Sequence, residues 1–104
     1  MHKLTKATSI PRSVKDAVWE RDMHRCILCG SHQGAPVAHV IRRSRGGMGI
    51  ERNIVTLCPH CHREFDEGRN REAYEVRIIA YLKGFYPDWN RADMIYRKDD
   101  FYAE

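Results

Sequence analysis

Two C-x2-C pairs, Cys26-Ile27-Leu28-Cys29 and Cys58-Pro59-His60-Cys61, constrain what this chain can fold into more than any other feature. Each pair makes a tight turn, and two such turns brought together offer four thiolates to a tetrahedral Zn²⁺. Met1 to Pro11 carries basic residues with no apolar stretch after them, so no secretory leader is expected. In that setting paired C-x2-C units read as a structural zinc site, with disulfides or a redox pair as the alternatives. A chain of 104 residues fits one domain with a modest core, which a metal staple would reinforce. No run of 18 apolar residues occurs, so no membrane span is expected.

The 28 residues between the pairs are too many for a bare zinc ribbon. Val37, His39 and Ile41 alternate with Ala38 and Val40, which predicts a strand over 36–41. Asn53 to Leu57 reads as a second strand, antiparallel to the first. Between them, Arg42 to Glu51 is a basic loop in which Gly46, Gly47 and Gly49 oppose a helix. From Pro59 a helix begins that holds the second cysteine pair in its first turn, with Gly68 to end or kink it. The arrangement is α+β: a β-β-α unit with zinc pinning both ends. Val14, Ala17 and Val18 predict an amphipathic helix over 12–22, opened by Pro11. Tyr74, Ile78, Tyr81 and Leu82 predict another over 71–83, capped by Gly84. The chain thus divides into a loose arm at 1–11, a domain at 12–83 and an aromatic tail at 84–104. Phe85 and Trp89 are expected to pack that tail on the domain.

Charge placement says more than charge balance. Lys and Arg outnumber Asp and Glu by 18 to 14, with a pI near 9.0. Arg42, Arg43, Arg45 and Arg52 crowd one stretch that holds a single acid, Glu51. A solvated basic loop and a polyanion-binding surface are both open on that pattern. On the β-β-α frame three polar residues stand out: His39 in the first strand, Asn53 at the start of the second, and His62 on the helix.

With these residues in place the chain resembles the HNH endonucleases, the ββα-metal or His-Me finger fold. The matching stretch reads RDMHRCILCG, then AHVIRRSRGG, then ERNIVTLCPHCHREFD, running from Arg21 to Asp66. The ordered set of Cys pair, AH, GG, N-I-V-x-L-C and C-x2-C-H carries the resemblance. The leading helix and the YLKGFYPDW tail look like those of phage and prophage members. The resemblance implies that His39 is the general base, that Asn53 braces the hairpin loop and orients that base, and that His62 binds the catalytic metal. It implies double-stranded DNA as substrate and a bacterial or phage-infected cytoplasm. A phage terminase or another protein is the partner it suggests.

The chemistry suits those residue types. Histidine, with an ordinary pKa of about 6.5, can deprotonate water near neutral pH. A divalent metal can polarise the phosphate and stabilise the leaving oxygen. His62 and Asp66, four apart on one helix, share a face, so Asp66 is either a second metal ligand or a solvent-facing acid. An oxygen donor there would suit Mg²⁺ or Mn²⁺, with Ni²⁺ or Zn²⁺ as alternatives. Arg42, Arg43, Arg45 and Arg52 would hold phosphate oxygens. One departure stands out: many members carry a metal-binding Asp, Glu or His before the base, and this chain has Ala38. A zinc-stabilised DNA-binding module with impaired catalysis is therefore the second reading.

Overall fold

The computed structural model describes residues 3–97. His2, Phe101 and Tyr102, to which the sequence assigns arm and tail roles, lie outside that range. Six elements follow in order: α1 (Lys3–Thr8), α2 (Arg12–Arg21), β1 (Ala35–His39), β2 (Ile54–Leu57), α3 (Pro59–Glu67) and α4 (Arg71–Phe85).

The two strands form an antiparallel hairpin in which Ala38 faces Val55 and His39 faces Ile54 across the ladder. The register slips between Ala35 and Ala38. Ala38 and Val40 are fully buried, whereas Val37 and His39 are only half-buried. The expected alternation therefore holds over 37–40 and aims the histidine away from the core, but the strand ends at His39 and Ile41, expected on the histidine's face, is buried at 3% exposure. All four residues of β2 are buried, because α2 and α3 both pack against that strand. The hydrophobic core joins Val40, Leu57, Phe65, Ile78 and Leu82 to the cysteine cluster.

Pro11 presets the backbone ahead of α2 at φ −63° and ψ 153°. Beyond the helix, Met23 and His24 adopt left-handed φ values of 56° and 59° and swing the chain into the first knuckle. Trp19 stacks on the His24 ring at 4.9 Å with planes 5° apart, covering that turn. Between them Asp22, only 2% exposed, accepts bonds from Arg21, from the Thr56 amide at 2.9 Å and from the Tyr81 hydroxyl at 2.7 Å. One carboxylate thus ties α2 to β2 and α4.

The Cys58 sulfur caps α3 by accepting the Cys61 amide, with Pro59 in the first turn, and the helix ends at Gly68 as expected. The next helix departs from expectation. α4 runs through Gly84 to Phe85, because the Leu82 carbonyl still finds the Tyr86 amide at 2.8 Å. An unpacked helical glycine costs only about 1 kcal/mol relative to alanine. Trp89 buries as expected, with its indole N–H donating to the Arg52 carbonyl at 2.6 Å. Phe85 does not: at the helix end it stays 49% exposed, edge-on to Tyr81.

The arm expected to be loose is instead helical over Lys3–Thr8. Six residues cannot sustain a helix alone; docking holds this one. Gly49 donates its amide to the Ala7 carbonyl at 3.0 Å. A side chain at Gly49 would sit 2.0 Å from the Ser9 carbonyl oxygen, and one at Gly47 would sit 1.7 Å from that of Ile41. The loop glycines therefore serve close backbone packing within the protein.

Candidate functional site

The four cysteine sulfurs lie within 4.8 Å of one another, and Cys29 and Cys58 are 3.6 Å apart. A disulfide would need about 2.05 Å, and all four thiols are free. Bonds of about 2.3 Å to a tetrahedral zinc place the sulfurs roughly 3.8 Å apart. The cluster is thus positioned to bind a metal ion and is consistent with structural zinc. Its electrostatics agree. Burial, and then the three neighbouring sulfurs, push the Cys61 thiol far above its usual range. Burial also opposes the Cys26 thiolate, but the backbone amides of Cys58, Cys29 and Leu28 outweigh it and lower that pKa to about 7. Four crowded sulfurs with amides aimed at them call for a cation.

On the far side of β1 lies an open cleft of about 730 Å³. His39 enters it from the end of the strand, His62 and Asp66 from successive turns of α3, and Arg42 and Arg43 from the hairpin loop. The His39 Nε2 stands 2.8 Å from the Thr8 carbonyl oxygen. A carbonyl can only accept, so Nε2 carries the proton and the neutral ring keeps its basic lone pair on Nδ1. Burial lowers the His39 pKa, the Thr8 carbonyl opposes that shift, and the charge of Arg43 adds to it. The ring is therefore neutral at neutral pH.

His62 Nε2 lies 3.0 Å from Asp66 Oδ2, in side-chain contact four residues along the helix. Donors at adjacent corners of an octahedron with bonds of about 2.1 Å are also roughly 3.0 Å apart, so this pair fits one small divalent ion. The second Asp66 oxygen faces Arg71 at 3.5 Å. Ala38 offers no third ligand, since its methyl sits fully buried in the core. Among the described residues the cysteines are the only group of three or more clustered metal donors.

Asn53 is fully buried, and its side-chain hydrogen bonds go to neither histidine. Its Oδ1 accepts from the Ile41 amide at 2.8 Å, and its Nδ2 donates to the carbonyls of Ile41 at 3.2 Å and Met48 at 2.9 Å. Its own carbonyl accepts from Val40, the residue after His39. The side chain closes the hairpin loop and fixes the strand end that bears His39.

The arginines divide. Arg42 donates to the Asp66 carbonyl at 3.1 Å, and Arg43 reaches the Thr8 hydroxyl at 3.3 Å, both at the cleft. Arg45 follows on the same loop but lines a neighbouring cleft. Arg52 is not brought to either: it pairs with Asp88 at 2.8 Å and covers the Tyr86 ring at 4.8 Å. His60 is exposed on α3 and does not line the cleft. Lys15 of α2 also lines the first cleft, and sequence reasoning missed both it and the Thr8 carbonyl. The first carried no signal beyond its charge, and the second carried none at all, since any residue has a carbonyl.

The HNH endonuclease family model matches residues 26–65, a span that includes both cysteine pairs, His39, Asn53 and His62. Over 58 residues the chain is 31% identical to Anaredoxin of Nostoc sp. (strain PCC 7120 / SAG 25.82 / UTEX 2576), covering 55% of this chain and 76% of that protein.

Proposed function

The chain belongs to the HNH endonuclease family, and on that premise we propose that it hydrolyses DNA phosphodiester bonds with His39 as general base. The observation that carries this reading is the meeting of His39, His62, Arg42 and Arg43 in one cleft, with the imidazole held by Thr8. His39 Nδ1 takes a proton from water; the resulting hydroxide attacks phosphorus, the bond to the 3′ oxygen breaks, and that oxygen regains a proton from solvent. The products are 5′-phosphate and 3′-hydroxyl ends. Arg42 and Arg43 hold non-bridging oxygens and orient the phosphate without reading bases. Asn53 keeps the strand end and loop in register. His62 and Asp66 would hold the divalent ion, Mg²⁺ or Mn²⁺, which supplies charge stabilisation at the leaving oxygen. Zinc at the four cysteines staples the loop after α2 to the start of α3 and takes no part in the reaction.

The test is a supercoiled-plasmid assay on zinc-loaded protein with Mg²⁺, Mn²⁺ or Ni²⁺ added singly, beside His39→Ala and His62→Ala. Metal-dependent cutting by the wild type is expected, with His39→Ala slower by about 100- to 10,000-fold. Undiminished cutting by folded His39→Ala overturns the assignment. Ala38 and the two-donor cleft favour one second reading, a zinc-stabilised DNA-binding module. Salt-sensitive DNA binding with no cutting in any metal would establish it.

A further inference from the structure

A second cleft of about 680 Å³ adjoins the first at Arg42, which lines both. Five arginines line it: Arg42 and Arg45 from the hairpin loop, Arg69 and Arg71 from the α3–α4 junction, and Arg91 after α4. Against them stand two acids, Glu72 and Glu75. Glu75 is already engaged, facing Arg71 at 3.8 Å and bonded to Arg91.

Two of the five are planted in place. Arg71 donates to the carbonyls of Val40 at 2.8 Å and Phe65 at 3.2 Å and lies 4.0 Å over the Phe65 ring, while Arg91 is held by Glu75. Two others are unspent: Arg45 and Arg69 are exposed and form no ion pair among the described residues. Guanidinium groups gathered from three segments, two held in place and two exposed, suit a row of phosphates better than one small anion.

We infer that this cleft carries the phosphodiester backbone flanking the scissile phosphate, which crosses Arg42 from one cleft to the other. The inference rests on the proposed function and adds Arg69 and Arg91 to the substrate-binding surface. Those contacts grip the backbone irrespective of sequence, and they require a substrate that continues past the cut.

The experiment measures binding of zinc-loaded protein to a duplex DNA of about 20 base pairs, without added catalytic metal, across a salt series. The proteins are wild type, Arg69→Gln, Arg69→Lys, the double variant Arg69→Gln/Arg91→Gln, and Arg42→Gln as control for the first cleft. Arg69→Gln should weaken binding several-fold and flatten the log Kd against log salt slope by about one. Arg69→Lys should restore most of that slope, and the double variant should lose about two. Arg69 has no ion pair to lose among the described residues, so its variants should melt as the wild type does. Wild-type affinity and slope in Arg69→Gln and the double variant, beside weakened Arg42→Gln, overturn the second cleft and leave the proposed function standing. Failure of the wild type to bind duplex at any salt overturns both.

Discussion

At the scale of single residues, His39 and Asn53 do different work and should fail differently. The folded pKa of His39 lies below the unfolded value of about 6.5. Cleavage should accordingly be on its plateau at neutral pH and fall with unit slope only as pH drops through that lowered pKa. A single-turnover pH profile still rising through 7 would contradict a neutral base. Linkage has the same sign. Between the two pKa values the unfolded chain binds more protons, so this group's contribution is complete above 6.5 and is lost as pH falls through the folded pKa. Asn53→Ala would orphan the buried Ile41 amide and the partly buried Met48 carbonyl. The expected loss is about 2–4 kcal/mol in urea unfolding, and an unchanged midpoint would remove Asn53 as the brace. The residue types of this site were legible because histidine and asparagine have few reasons to recur in that order. Their partners were not, being backbone groups that any residue supplies.

Among the elements, α1 is where reading the sequence failed most. Lys3–Thr8 has no apolar stripe and too few residues to announce a helix, and Gly49, the docking partner of Ala7, lies 42 residues away in the chain. The hairpin and α3 were legible because alternation and a capped helix start are local signals. Docking makes α1 part of the site through the Thr8 carbonyl. Removal of residues 1–9 should therefore lower kcat roughly tenfold or more, change KM less, and leave zinc content intact. Equal activity in the shortened protein would show that the imidazole is positioned without Thr8. The α4 boundary was misread for a related reason: glycine permits a helix end but does not compel one.

For the molecule as a whole, the cysteine cluster and Asp22 tie different sets of elements together. The cluster joins the loop after α2 to the start of α3, and Asp22 joins α2 to β2 and α4. The purified protein should contain one zinc per chain by elemental analysis, and a strong chelator should unfold it in the same transition that releases the metal. A chelated protein that keeps its far-ultraviolet dichroism and melting point would show the staple to be dispensable. The cysteine spacing made the first of these ties visible. The second was not, because Asp22 and Tyr81 lie far apart in sequence and carry no motif. The four sulfurs are also unequally sheltered, with three buried and Cys29 exposed. Chemical ageing therefore has a fixed point of entry: oxidants and alkylating reagents meet Cys29 first. Once that thiol is modified only three sulfurs would remain to hold an ion, and the protein would wear out by losing its scaffold while His39 remained chemically untouched.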